Sequence, residues 1–277
     1  MKSLYINLAC GSVYVDNSNW INLDYESSSK SVQQANLLQR LPLDQEIADL
    51  VYSSHFLEHI PRSKVNDFLS EILRILKPGG VVRFVLPDLE NMANSYVNLR
   101  KQGDHQKADF LVLEMIDQCV RNKGGGELGV FFSKIKSNPD QYKFMSEFVR
   151  ERTGDDLTPC SFQQKQNYNF FSKNLKSILA SIIQRIQQYW IKIVLLALPP
   201  VFRDQNISLA SMGERHHWIW DFYSLKKILE EVGFLDVKRV SANTSTIKDF
   251  PFYPLDIDDE GKPRKGAESM YVEATKP

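Results

Sequence analysis

The stretch from Leu4 to Asp24 constrains this chain more than any other. An apolar run, Leu4-Tyr5-Ile6-Asn7-Leu8, leads into the small residues Ala9-Cys10-Gly11, and a second short run, Trp20-Ile21-Asn22-Leu23, ends on Asp24. The pattern reads as strand, tight turn, strand and acid. Small side chains at Ala9 and Gly11 let backbone approach a ligand closely, and a carboxylate at the tip of the next strand accepts hydrogen bonds from both hydroxyls of a ribose. A pyrophosphate cofactor needs G-x-G-x-x-G at the head of a long helix, with the acid about 20 residues further on. Only one of those glycines is present, and the interval from Gly11 to Asp24 is too short for a full helix and a phosphate cradle. The expected ligand is a nucleoside without phosphates, and a nucleotide-dependent oxidoreductase of similar topology is disfavoured.

Downstream, short apolar strands alternate with helical patterns, which predicts a parallel sheet covered by helices on both faces. Val32 to Leu37 reads as a third strand and Asp49 to Ser53 as a fourth. Val65, Phe68, Leu69, Ile72, Leu73 and Leu76 form one face of a helix that Pro78-Gly79-Gly80 stops. Val81 to Leu86 is a fifth strand, and Pro87-Asp88 sits where its carboxyl end opens onto a ligand crevice. From about Glu90 to Met212 the alternation stops. Helical stretches such as Phe110 to Val120 are joined by polar segments, with Gly124-Gly125-Gly126 as a flexible joint. A helical insertion at about 90–212 is expected, hanging over the carboxyl edge of the sheet as a substrate lid. Tyr223 to Val232 is then a helix, Phe234 to Val240 a strand and Met270 to Thr275 the last strand. The expected fold is α/β, a doubly wound, mostly parallel seven-stranded sheet in one domain over 1–277.

A chain of 277 residues with 43% hydrophobic content can bury one large core. Basic and acidic residues number 34 each, so nothing draws the chain generally to polyanions, and nucleic acid is not an expected partner. Cys10, Cys119 and Cys160 are widely spaced without a C-x-x-C pair, which suggests neither a disulfide framework nor a zinc site of cysteines and fits a reducing, cytoplasmic setting. Met1-Lys2-Ser3 imitates the start of a lipoprotein signal ending at Cys10, but the apolar run is too short and holds Asn7, so it reads as the first strand. Leu175, Ile178, Leu179, Ile182, Ile186, Trp190, Ile193 and Ala197 make the apolar stripe of an amphipathic helix at about 175–198, ended by Pro199-Pro200. Its apolar runs are too short to span a bilayer, and Arg185 and Lys192 break them. Packing on the core, contact with a second subunit and a peripheral position on the inner membrane face remain open for it. Asp256, Asp258, Asp259 and Glu260 before Gly261 do not match a calcium loop, and no metal site is expected.

Asn7 to Gly11 followed by Trp20 to Asp24 resembles the shortened first motif of class I S-adenosylmethionine-dependent methyltransferases. Ser53-Ser54-His55-Phe56-Leu57-Glu58-His59-Ile60, Leu76-Lys77-Pro78-Gly79-Gly80 and Leu86-Pro87-Asp88-Leu89-Glu90 are similar, in order and spacing, to successive segments of the type 11-like branch. So are His216 to Asp221, the Gly233-Phe234 turn and Ser269 to Ala274. The resemblance covers both ends of the chain and leaves the middle unconstrained. Ala9 stands where the family usually has glycine, and Asn36 where it usually has aspartate, although an amide still donates to and accepts from an adenine edge.

The resemblance implies S-adenosyl-L-methionine as cofactor, bound by Leu8, Ala9, Cys10 and Gly11, by Asp24 under the ribose, by Asn36 and Leu37, and by Ser54 and His55. It implies methyl transfer to an oxygen or nitrogen of a small-molecule or saccharide-like acceptor, because members of the branch are often associated with polysaccharide or glycolipid synthesis. Methyl transfer demands in-line geometry, and an alcohol acceptor also needs a base. His216, Asp88 and His55 are the candidates. Asp88 reads equally as a helix N-cap, His59 as ordering the loop with Glu58, and His217 as a weaker candidate. Trp218, Trp220 and Tyr223 read as packing. The alternative to an enzyme is an interaction module on the same fold, cofactor-bound or empty.

Overall fold

The computed structural model describes residues 3–27, 29–157 and 214–277, together with 186, 189–191, 193–200 and 202. Strands β1 (Tyr5–Leu8), β2 (Trp20–Asp24), β3 (Val32–Gln34), β4 (Ala48–Ser54), β5 (Leu76–Pro87), β6 (Leu235–Val240) and β7 (Ser269–Thr275) form one sheet in the order β3-β2-β1-β4-β5-β7-β6. Neighbours from β3 through β5 are parallel, and β7 runs antiparallel to both β5 and β6. This is the mostly parallel seven-stranded α/β sheet expected from the alternation. The strand order reverses direction between β1 and β4, and in such sheets the crevice outside those carboxyl ends receives the ligand.

On one face, helix α1 (Arg62–Ile75) buries Val65, Phe68, Leu69 and Ile72. A later helix, Phe222–Val232, buries Leu225, Ile228 and Leu229 against the same strand side chains, Ile6, Leu8, Val82, Phe84 and Val272 among them. Three- and four-residue steps on the helices meet two-residue steps on the strands, so two periodicities in the sequence converge on one core. On the other face Trp20, Leu50, Tyr52, Val85 and Tyr271 lie under Ala242, Phe250 and Leu255.

Two elements differ most from the sequence expectation. β3 stops at Gln34 rather than Leu37, because Asn36 Oδ1 accepts from the Leu38 amide (3.1 Å) and its carbonyl from the Gln39 amide (3.1 Å), turning the chain out of the sheet. Pro78-Gly79-Gly80 lies inside β5, where the register with β4 shifts between Ala48 and Leu50. Gly79 is left-handed there (φ +75°), and a Cβ on Gly80 would meet the Ala48 carbonyl at 3.0 Å, so the glycines make a bulge.

Between β5 and the late helix, α2 (Leu89–Gln102), α3 (His105–Val112), a π-turn (Leu113–Asp117), α4 (Gly126–Ser137) and α5 (Lys143–Thr153) follow one another. Phe110, Leu111, Leu128, Ile135, Met145 and Val149 give these helices a core of their own. The glycines at 124–126 are no loose joint. Asp117 Oδ1 accepts from the Glu127 amide (2.7 Å) and Oδ2 from the Leu128 amide (3.3 Å), capping α4, and a Cβ on Gly126 would collide with that carboxylate. The end of α5 is tied to the stretch before β7, with the Ala267 amide bonded to the Glu151 carbonyl and the Glu268 amide to the Arg152 carbonyl (both 2.9 Å). Of the amphipathic segment at 175–198, residues 186, 189–191 and 193–197 are described and helical, 198 is described as a bend, and the rest lies outside the described residues. Among the described residues no helix is long and apolar enough to cross a membrane. The late helix Phe222–Val232 is α6.

Candidate active site

β1 and β2 end side by side, with Leu8 level with Leu23. Leu8 is fully buried in the core, so only its backbone faces the crevice. Beyond it Ala9 (φ +55°) and Gly11 (φ +54°) both take the left-handed conformation. That geometry suits glycine and costs an alanine roughly 1 kcal/mol, which is the physical content of a family preference for glycine at the Ala9 position. A Cβ on Gly11 would meet nothing within 4 Å, so the space above the turn is open. Asp24 is half-buried. Its Oδ2 accepts from the Gly11 amide (2.8 Å) and its Oδ1 from the Glu26 amide (3.2 Å). A carboxylate offers about four acceptor positions, so half of its capacity remains for ribose hydroxyls. Cys10 is buried, and desolvation together with the Asp24 charge pushes its thiol up to about 12, which keeps it neutral and unreactive. Asn36 is exposed with Oδ1 engaged in its own turn, leaving its amide nitrogen as a donor, while Leu37 is buried. At the tip of β4 the Ser54 hydroxyl is buried without a partner. An open backbone turn, an acceptor carboxylate and an orphaned hydroxyl fit a nucleoside-type cofactor.

The tip of β4 continues into His55 (φ +51°) and the single turn Leu57–His59. His55 Nε2 lies 2.9 Å from Ser269 Oγ, whose hydroxyl donates to the Lys265 carbonyl (3.1 Å), so the network assigns the His55 proton to Nε2. Nδ1 faces Glu58 Oε1 at 3.4 Å. Burial, reinforced by the Lys265 charge, holds His55 well below the usual histidine range. Glu58 is fully buried, neither of its oxygens has a hydrogen-bond partner, and desolvation pushes its carboxyl up to about 8. His59 directs Nδ1 at the Arg215 carbonyl (3.0 Å), which only accepts, so Nδ1 carries the proton and Nε2 presents its lone pair 4.0 Å from Glu58 Oε1. His216 packs edge-on against His59 with centroids 4.7 Å apart. It is buried, its Nδ1 has no partner, and burial with the neighbouring His59 lowers it to about 3. The amides of His217 (2.7 Å) and Trp218 (3.3 Å) both donate to the Glu58 carbonyl, clamping residues 216–218 to the turn.

A cavity of about 300 Å³ opens past His55 and His216. Glu114, Gln118, Arg121, Leu128 and Phe132 come from the inserted helices, Asp155 follows them, and Pro87, Lys265 and Glu268 come from the sheet edge. Glu268 is raised well above the carboxyl range, first by burial and then by the facing Glu114 carboxylate, which Arg152 Nη2 binds at 2.7 Å. Burial lowers Lys265.

The structure thus brings His55 and His216 to one cavity and leaves Asp88 out of its lining. Asp88 Oδ1 caps α2 through the Glu90 amide (3.1 Å) and Oδ2 pairs with Arg239 (2.9 Å), so both oxygens are engaged. Trp220 is fully buried, and Arg62 stacks over both Trp218 (4.7 Å) and Trp220 (4.6 Å). Glu58, Glu114, Arg121, Lys265 and Glu268 were invisible as site residues in the sequence. Only the spacing His55-x-x-Glu58-His59 hinted at any of them.

Fold and crevice define an α/β protein with an open turn and an acceptor carboxylate at the ends of β1 and β2 and a polar cavity beyond the ends of β4 and β5. The family model described as "Methyltransferase domain" matches residues 12–84, from just past Gly11 into the middle of β5. Among solved structures, a SAM-dependent methyltransferase from Archaeoglobus fulgidus is 12% identical, over 99% of this chain and 86% of that one, with a TM-score of 0.39. A SAM-dependent methyltransferase from Thermotoga maritima is 12% identical over 100% and 83%, with a TM-score of 0.40. An S-adenosylmethionine-dependent methyltransferase from Mesorhizobium loti is 20% identical over 32% and 48%, with a TM-score of 0.25. No curated protein matches the chain. Over residues 12–84 the chain is similar to methyltransferase domains of type 11.

Proposed function

We propose that the protein transfers the methyl group of S-adenosylmethionine to an oxygen or nitrogen of a small-molecule or saccharide-like acceptor. The observation that carries this reading is the bond from the Gly11 amide to Asp24, which fixes a carboxylate with spare acceptor positions beside an open backbone turn. S-adenosylmethionine, when bound, supplies a methyl group already activated by its sulfonium, so the protein has mainly to bind and orient. Asp24 holds the ribose and Asn36 offers its amide to the adenine edge. His55, with its ring nitrogens turned to Ser269 and Glu58, is a positioning residue where the crevice meets the cavity. His216, neutral and on the cavity wall, faces the acceptor. The cavity lies at the lower end of the range for small-molecule sites, and Glu114, Gln118, Asp155 and Lys265 give it the donors and acceptors a polyhydroxylated ligand needs. Asp88 supports the site by capping α2. A cytoplasmic setting is in keeping with the free thiols of Cys10 and Cys119.

A second reading, the interaction module, is favoured by one observation: Trp190 and Leu196 stand 64% and 77% exposed on helical residues of the amphipathic segment. Calorimetric titration of S-adenosylmethionine and S-adenosylhomocysteine into wild type and Asp24→Ala separates the two. Micromolar binding that the variant loses supports the methyltransferase. No binding to wild type at millimolar ligand removes it in favour of the module.

A further inference from the structure

We propose that Glu58, His59 and His216 form a three-ligand site for a divalent transition-metal ion at the wall of the cavity. The site itself stands on geometry alone, and only its use, to hold an acceptor oxygen, rests on the methyltransferase reading. One carboxylate oxygen and two ring nitrogens lie within 4.8 Å of one another. They come from distant parts of the chain, and the two amide bonds from His217 and Trp218 to the Glu58 carbonyl hold the two segments together.

Three observations point to a ligand. Glu58 is fully buried with both oxygens unpartnered, and His216 is 5% exposed with Nδ1 unpartnered. A buried polar group without a hydrogen bond costs about 1–3 kcal/mol, more when charged, and Glu58 Oε1 only faces His55 Nδ1 at 3.4 Å. His59 is oriented as a ligating histidine is, with one ring nitrogen donating to a backbone carbonyl so that the other presents its lone pair to the cluster. The donors are chemically matched as well. Two imidazoles and one carboxylate suit zinc and its first-row neighbours, whereas calcium and magnesium prefer all-oxygen shells. Ligand bonds of about 2.0–2.2 Å require the three atoms to close by about 1 Å, which side-chain rotation supplies. Three protein ligands leave a coordination position open, as at catalytic rather than structural zinc sites. Because His216 lines the cavity, an acceptor hydroxyl there can bind the ion, which polarises it as a Lewis acid.

The test is Co²⁺ titration of the untagged, chelator-stripped chain, followed by its visible absorption, with Zn²⁺ calorimetry in parallel. Wild type is expected to take up one equivalent of either ion, and Glu58→Gln and His216→Ala to weaken uptake more than about tenfold, while keeping wild-type circular dichroism and affinity for S-adenosylhomocysteine. Zn²⁺-dependent thermal stabilisation of wild type gives a readout that needs no variant. No Co²⁺ spectrum and no Zn²⁺ heat from wild type that still binds S-adenosylhomocysteine overturns the proposal, as does uptake unchanged in both variants. Stoichiometric uptake lost in the variants, by a wild type that fails to bind S-adenosylhomocysteine, upholds the metal site and overturns the methyltransferase reading instead.

Discussion

Asp24 is held on one side by the Gly11 and Glu26 amides and is open on the other, which makes it the residue with the most direct test. Truncation to alanine is expected to cost at least about 2 kcal/mol of cofactor affinity, some thirtyfold in Kd, measured by calorimetry. Asp24→Asn should lose less, because an amide oxygen still accepts from one hydroxyl. Glu268 makes a different prediction. Burial and the Glu114 charge raise its carboxyl in the folded protein above the ordinary value of 4.5. The native state therefore keeps a proton that the unfolded chain releases, and stability falls as pH rises from about 4.5 toward the raised value. Glu268→Gln removes this dependence, so its urea midpoint should gain on wild type progressively from pH 5 to pH 8. A gain that stays constant across that range refutes the assignment. At this scale Asp24 was legible from its place at a strand tip. The environment of Glu268 was not, because it depends on Glu114 and Arg152, far away in sequence.

The inserted helices reach the sheet through a contact that only glycine allows. Gly154 (φ +80°) and Gly266 (φ +60°) cross so closely that a Cβ on Gly266 would collide with the Arg152 carbonyl, and one on Gly154 with the Arg264 carbonyl. Gly266→Ala is expected to cost more than about 2 kcal/mol and to lower Tm by about 4 °C or more in a calorimetric scan. On the far face of the sheet Arg83, fully buried, binds Asp256 (2.7 Å) and Glu273 (2.7 Å). Arg83→Met strands two buried carboxylates and should cost about 3–5 kcal/mol in urea denaturation. Helices α1 and α6 were readable because three- and four-residue spacing writes their buried face into the sequence. The shortened β3 and the bulge at Pro78-Gly79-Gly80 were not: β3 ends where Asn36 bonds its own turn instead of the sheet, and the bulge depends on the register with β4.

For the molecule as a whole, a ligand that binds only the folded state stabilises all of it. S-adenosylhomocysteine at one hundred times its Kd is expected to add about 2.7 kcal/mol and to raise Tm by roughly 5–10 °C in differential scanning fluorimetry. An unchanged melt at saturating ligand contradicts a formed crevice. By itself the sequence determined the α/β alternation, the strand, turn and acid at the ends of β1 and β2, and helices following the fifth strand. These are local properties, set by side-chain periodicity and by the conformational freedom of small residues within a few positions. Only the tertiary structure decided that Asp88 is bound at both oxygens, and that Glu114 and Glu268 face each other across the cavity. It also decided that Glu58 and His59 meet His216, 158 residues beyond Glu58. Burial, unpaired lone pairs and shifted protonation arise from groups the fold brings together from separate segments, and no spacing along the chain encodes them.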